Sequence, residues 1–376
     1  MIPVAKPFLT EEEAQSAYDT ILSGWVTQGP RVAAFEKAFA TYVGSRDAVA
    51  VSSCTAALHL ALRVAGVSEG DEVICPSMSF IATANPILYC GATPVFAEVL
   101  RDTYNIDPAD AEGRITERTK AILIVHQVGM PAQIDVFRSM CVEHKLVLIE
   151  DAACAAGSSY RGAKIGCHSD LVCFSFHPRK VITTGDGGMV ATSDGTYAER
   201  LRRLRQHGMS VNDQIRHESR TLILEEYLEP AYNYRMTDIQ GAIGIQQLKK
   251  LDWLVEERRR IAARYNDAFS DIDCIELPVE PDGCRTNAQS YCVYVRAEAP
   301  LNRDQIVQAM LDQDIATRRG VMSIHKEPAY RDTHGHVSLP ISEDLSANCI
   351  VLPLYVPMEG ADIDRVITSF RELVLG

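Results

Sequence analysis

The chain predicts an α/β fold: a large, mostly parallel sheet covered by helices on both faces, followed by a smaller α/β unit. Three observations carry this. Short apolar runs alternate with helical stretches between residues 48 and 192. A long helical pattern then opens at Thr237, and strand and helix signals begin again beyond it. The 376 residues exceed the size at which a single core usually stops growing, and a hydrophobic content of 47% is ample for a packed interior.

Thr10-Glu11-Glu12-Glu13 is a capping box, and Ala14, Ala17, Tyr18, Ile21 and Leu22 follow at helical spacing, so a first helix ends near Gly24. Val32, Phe35, Phe39, Tyr42 and Val43 mark a second, closed by Gly44. Seven strand-like runs come next, at 48–51, 72–75, 94–96, 121–126, 146–150, 171–176 and 188–192. Continuous apolar character without strict alternation is what a sheet buried on both faces requires. Thr237 caps a helix through Ile239, Ile243, Leu248, Leu251 and Leu254, read as the passage to the second unit. A strand at 291–295, a helix near 304–311, an apolar run at 349–355 and a last helix with Ile363, Val366, Ile367, Phe370 and Val374 complete it. The expected division is 1–245 and 246–376.

A formal charge of -13 leaves no basic patch for nucleic acid or an anionic membrane. The stretches Arg202-Arg203-Leu204-Arg205 and Arg258-Arg259-Arg260 read as solvated helix faces. No apolar signal core opens the chain and no run reaches membrane-span length, so a cytoplasmic enzyme is expected. The eleven cysteines lack Cys-x-x-Cys spacing and read as reduced core residues, with no metal site expected.

Ligands in open α/β sheets collect at the carboxyl ends of strands, where Asp151 and Ser175 fall. Lys180 follows in Phe174-Ser175-Phe176-His177-Pro178-Arg179-Lys180, ahead of Thr184-Gly185-Asp186-Gly187-Gly188. A lone lysine after a strand is usually a surface residue. Here the glycines would let the backbone pass close to a planar ring, and enclosure would lower the amine pKa toward reactivity. An amine to bond an aldehyde and a carboxylate to keep a ring nitrogen protonated are what pyridoxal 5'-phosphate (PLP) needs. Val51-Ser52-Ser53-Cys54-Thr55-Ala56-Ala57-Leu58 reads as strand, turn and helix, whose first N–H groups at Thr55 and Ala56 suit a phosphate; plain capping by Thr55 is the simpler alternative. Ser175 would add a hydroxyl, and Phe80 would lie on the ring or pack in the core.

These residues, together with Ser23-Gly24-Trp25-Val26-Thr27-Gln28-Gly29-Pro30, Gly91-Ala92-Thr93-Pro94-Val95-Phe96, Glu150-Asp151-Ala152-Ala153, Asn233-Tyr234-Arg235-Met236 and Leu352-Pro353-Leu354-Tyr355, carry a resemblance. The chain resembles the nucleotide-sugar aminotransferases of the DegT family, PLP enzymes of the aspartate aminotransferase fold (fold type I). The resemblance implies that Lys180 carries the Schiff base and Asp151 partners the ring nitrogen. Thr55, Ala56 and Ser175 would hold the phosphate, Phe80 would stack on the ring, and Asn233 would reach the phosphate of the other subunit in a homodimer. Thr27, Gly29, His177, Arg235 and His325 would lie near the sugar nucleotide, although His325 and His207 suit a satisfied structural histidine equally well. The implied reaction passes through pyridoxamine 5'-phosphate, with L-glutamate as the donor and a keto-deoxy-sugar nucleotide as the acceptor. Its product would be an amino sugar for surface polysaccharide or natural-product glycosylation.

Two positions depart from the family pattern. Cys54 stands where many relatives carry Gly, and Cys154 stands where Gln or His commonly meets the cofactor hydroxyl. Sugar dehydration or another PLP reaction on the same fold is the alternative, and relatives that dehydrate have His where this chain has Lys180. A non-catalytic regulatory protein is the more distant one.

Overall fold

The computed structural model describes residues 1–211 and 219–376. Among the described residues, nine strands precede the long helix: β1 (Asp47–Val51), β2 (Glu72–Pro76), β3 (Thr93–Ala97), β4 (Thr119–Val125), β5 (Val147–Asp151), β6 (Ser159–Tyr160), β7 (Ala163–Lys164), β8 (Val172–Ser175) and β9 (Gly188–Thr192). Seven of them form the main sheet in the order β1-β9-β8-β5-β4-β2-β3. Only β9 runs against its neighbours, pairing antiparallel with both β1 and β8. The carboxyl ends of β1, β4, β5 and β8 therefore open to the same side.

Alternate residues of each strand face different cores, which explains the unbroken apolar runs. Ala50, Ile122, Ile124 and Phe174 pack with Phe35 and Phe39 from the helix Pro30–Val43. Val49, Val51, Leu123 and Cys173 pack on the other face against the helix Cys54–Val64. The expected first and second helices form at Glu11–Leu22 and Pro30–Val43, and Gly44 ends the second in the left-handed region at φ 80°.

The helix Asp238–Phe269 opens on a capping box between Thr237 and Gln240. Leu251, Leu254 and Val255 pack in the first core, whereas Ile261, Tyr265 and Phe269 pack in a separate one. The expected division at 245/246 falls inside this continuous helix. The separate core covers a four-stranded antiparallel sheet, in the order β10 (Ile275–Glu276), β12 (Tyr291–Val295), β14 (Cys349–Leu352), β13 (Arg318–Arg319). The helix Gly360–Leu375 packs there too, as does Ile2, bridged to Ile315. The remaining strand, β11 (Cys284–Arg285), joins β6 and β7.

Both basic stretches correct the expectation of solvated faces, because each contributes a buried guanidinium: Arg205 and Arg258. Arg205 Nη1 pairs with Glu36 and donates to Ala50 O at 2.7 Å, and Ala50 N–H donates to the same Glu36 oxygen at 2.8 Å. This pair ties edge strand β1 to two helices. Arg205→Met would strand the Glu36 charge, so the urea midpoint is expected to fall by the equivalent of about 3 kcal/mol.

Candidate active site

A cavity of about 410 Å³ opens at the carboxyl ends of the main strands, where the parallel topology gathers the turn after β1, the end of β5 and the loop after β8. Its wall includes Thr55, Phe80, Asp151, Ser175, His177 and Lys180 among the expected site residues. It also takes Gln289, Ser290, Arg318, Arg319 and Val351 from the second unit.

Asp151 is the last residue of β5, paired with Val125 on one side and Cys173 on the other. It is 5% exposed. One carboxylate oxygen accepts from Thr83 Oγ1 at 2.9 Å and the other from Ala153 N–H at 3.0 Å. Ser79 Oγ lies 2.7 Å from Thr83 Oγ1 and extends the chain. Among the described residues, Asp151 has no ion-pair partner. Burial pushes its carboxyl above the usual range, against the pull of Ala153 N–H, Thr83, Lys180 and His126. A cation placed against Asp151 would relieve that cost.

Lys180 Nζ donates to Cys154 Sγ at 3.2 Å. Burial by itself would lower the ammonium, but Cys154, Cys54 and Asp151 outweigh it, and the net direction is upward. The expected lowering by enclosure is therefore corrected for the free amine: enclosure came with acidic groups. Cys54 leaves the expected core role and lines the cavity, as does Cys154, which was expected as a possible neighbour of the cofactor. All eleven are free thiols. Burial, followed by Asp151, pushes the Cys54 thiol well above its usual range.

Helix Cys54–Val64 begins at the cavity, but its cap is Ser53 rather than Thr55, with Ser53 Oγ accepting Ala56 N–H at 3.1 Å. One of the two expected phosphate donors is thus already engaged. Ser175, at the end of β8, is buried on the wall. Phe80, 59% exposed, offers its ring to the cavity and is not a core aromatic. The glycines have a different use from the one expected. A Cβ on Gly188 would sit 2.5 Å from the Ser53 carbonyl carbon, and one on Gly187 2.4 Å from Thr184 Oγ1. Gly188 lets β9 pass against the backbone of the turn after β1, whereas Gly187 makes room for the Thr184, Met236 and Phe176 side chains.

Ala56, Thr27, Gly29, Asn233, Arg235 and His325 are not brought to the wall. Gly29 is buried, donates to Asp238 Oδ1 at 2.8 Å, and would drive a Cβ into the Trp25 ring. His325 is fully enclosed; its Nδ1 meets Ser77 Oγ at 2.5 Å and its Nε2 meets Glu343 Oε1 at 3.1 Å. Asn233 is exposed and accepts from Arg235 Nε at 3.1 Å. The sequence reading omitted Thr83, Asn287, Gln289, Arg179 and Arg318. The polar run Asn287-Ala288-Gln289-Ser290, placed directly before an apolar strand, was the available signal for two of these.

These residues fit PLP. Lys180 Nζ is there to bond an aldehyde, Asp151 is a buried carboxyl with no ion-pair partner among the described residues, Ser175 and the Thr55 turn can hold a phosphate, and Phe80 is an exposed aromatic face.

Comparison with known proteins agrees. Residues 7–371 match the DegT/DnrJ/EryC1/StrS aminotransferase family. The spore coat polysaccharide biosynthesis protein SpsC of Bacillus subtilis is 38% identical, over 100% of this chain and 97% of its own. The structure of S. venezuelae DesV, in complex with a ketimine intermediate, superposes with a TM-score of 0.91 at 34% identity, over 99% of this chain and 98% of that one. The sugar aminotransferase Spr1654 of Streptococcus pneumoniae, described as putative and in its PMP form, gives 0.94 at 28% identity, over 100% and 99%.

A raised folded pKa means that the stability Asp151 contributes is present at low pH and lost as pH climbs through that value. In the cofactor-free protein, the stability of Asp151→Asn relative to wild type should therefore improve from about pH 4 to about pH 7. Paired urea titrations check the sign. With PLP bound the order should reverse.

Proposed function

The chain belongs to the DegT/DnrJ/EryC1/StrS aminotransferase family, and from that premise we propose that it moves the amino group of L-glutamate to the ketone of a deoxy sugar carried by a nucleoside diphosphate. It is a PLP-dependent sugar aminotransferase of fold type I. Bound PLP supplies an aldehyde that captures amines and a ring that accepts electrons from the substrate carbon losing its proton. The observation that carries the reading is the convergence of Lys180 Nζ and the buried Asp151 carboxylate on one cavity.

In this reading Lys180 would hold the cofactor at rest, and its Nζ, when free, would be the base for the proton on the α-carbon of the amino acid. Cys154 Sγ, 3.2 Å away, gives the released amine a partner within the cavity. Asp151 keeps a cation at the ring nitrogen, aligned by Thr83 and Ala153 N–H. Ser175 and the Thr55 turn bind the phosphate and Phe80 orients the ring. Arg179, Arg318 and Arg319 favour anionic substrates at the cavity beside His177, whose imidazole burial and Arg179 hold below its usual range, and Asp151 and Asp186 are the acidic residues on the wall. These cations suit both glutamate carboxylates and a sugar diphosphate.

The proposed assembly is a homodimer with shared sites. Asn233 is exposed and off its own cavity wall, and Tyr18, Ile21, Leu22, Leu88 and Tyr89 expose apolar surface. Asn233, Thr27 and Arg235 would then serve the partner's cofactor and substrate. Free cysteines fit a cytoplasmic setting, and no helix among the described residues is long and apolar enough to cross a membrane. The similarity to SpsC supports a product destined for polysaccharide.

Adding L-glutamate to the PLP-loaded enzyme should replace its visible absorption with that of the pyridoxamine form and release 2-oxoglutarate; persistence of the original band would refute the donor assignment. Lys180→Ala should reduce turnover by at least about 100-fold. Mixed dimers test the shared site. Lys180→Ala and Asn233→Ala subunits, each inactive alone, should regain activity on subunit exchange, because one site of the hybrid receives both intact residues. No recovery would place Asn233 outside the partner's site.

A further inference from the structure

Lys180 lies in a loop between β8 and β9 whose internal support at that point is its own N–H donating to His177 O at 2.8 Å. Within the same loop Arg179 N–H donates to His177 Nδ1 at 3.2 Å and Thr184 N–H to Phe176 O at 3.1 Å, and further support comes from the second unit. Gln289 Nε2 donates to the Arg179 carbonyl at 2.7 Å, and Gln289 Oε1 accepts the Val181 N–H at 3.1 Å. One side-chain amide thus bridges the peptide groups on both sides of the reacting lysine. Two residues earlier, Asn287 Nδ2 donates to Cys154 O and Ala156 O, both at 2.8 Å, and so holds the loop whose sulfur meets Lys180 Nζ. Asn287 Oδ1 accepts Gln289 N–H at 2.9 Å, which makes the two amides one unit.

Behind this segment stands Arg258, buried and without a carboxylate partner among the described residues. Its Nε donates to Ala288 O at 2.9 Å, and its Nη2 donates to Gln289 O at 2.6 Å and Leu354 O at 3.1 Å. Burial holds its guanidinium down to about 10, still charged at neutral pH. Ala288 takes a positive φ of 50°, a strained choice for a residue with a side chain, which its neighbours' hydrogen bonds sustain. The small unit therefore reaches the chemistry through main-chain contacts on two walls of the cavity.

We propose that Gln289 is a positioning residue: its amide sets the place of Lys180 against Asp151, and Asn287 with Arg258 makes that setting rigid. The proposal rests on Lys180 being the reacting amine. A hydrogen bond to a buried backbone group is worth little until it is removed, when the stranded group costs more than the bond contributed. Displacing a reacting group by about 1 Å can reduce rate by about 100-fold without loss of binding.

Gln289→Met keeps the length of the side chain and removes both bonds; Gln289→Glu keeps an acceptor for Val181 N–H and loses the donor to Arg179 O. In the cofactor-free protein, hydrogen exchange at the Val181 amide should quicken by about tenfold in Gln289→Met and less in Gln289→Glu. In the loaded enzyme kcat should fall by about 10- to 100-fold with KM for L-glutamate within about twofold, and the pH midpoint of the visible absorption should shift. Faster exchange with kcat and the pH midpoint unchanged would make Gln289 merely structural and overturn the proposal, as would unchanged exchange. If Gln289→Met does not fold, Gln289→Glu is held to the same two criteria. Borohydride trapping in wild type separates the premise: a label on another lysine defeats the functional reading whatever the Gln289 variants do.

Discussion

A carboxylate buried at the end of a central parallel strand, with two hydrogen bonds and no ion-pair partner among the described residues, is the constraint on which the rest of this site depends. Asp151 gains stability from Thr83 and Ala153 N–H, but burial dominates and pushes its proton affinity up. A cationic ring nitrogen resolves that imbalance, so the acid and the cofactor each lower the cost of the other. The buried position that makes Asp151 costly in the empty protein makes it effective toward a ligand, because low polarizability strengthens the pairing.

Parallel topology supplies the meeting place. With β1, β4, β5 and β8 all running the same way, four chain segments deliver their next residues to one side of the sheet. The single antiparallel strand, β9, then returns the chain from the lysine loop to the turn after β1. That return is possible only with backbone nearly in contact at Gly188 and Ser53. Buried Arg205 and Glu36 hold the same edge from below.

The elements were legible because their signals are local. The capping box at Thr10, the cap at Thr237 and the closing Gly44 appear where expected. Asp151, Ser175 and Lys180 could be read because strand ends are visible in the sequence and α/β sheets bind ligands there. Other assignments needed contacts between distant residues. Gly29, in a motif that suggested substrate, is bound to Asp238, 209 positions away, and packed under Trp25. His325 faces Ser77 and Glu343 in the interior, and the arginines at 205 and 258 face inward with the buried apolar residues of their helices. A helical face is not defined by one charged triplet.

The sequence alone determined the chemistry available: a lysine and an aspartate at neighbouring strand ends, a small-residue turn for phosphate, and enough apolar periodicity for two cores. These follow from residue type and local spacing. Tertiary structure decided the state of those groups. Whether enclosure lowers or raises the Lys180 amine depends on what encloses it, and Cys154, Cys54 and Asp151 come from two other segments, the end of β5 and the turn after β1. The anchoring of the lysine loop by Gln289 and Arg258 was likewise invisible beforehand, because side-chain amides and guanidinium groups find their carbonyl partners only once two separately cored units have packed together.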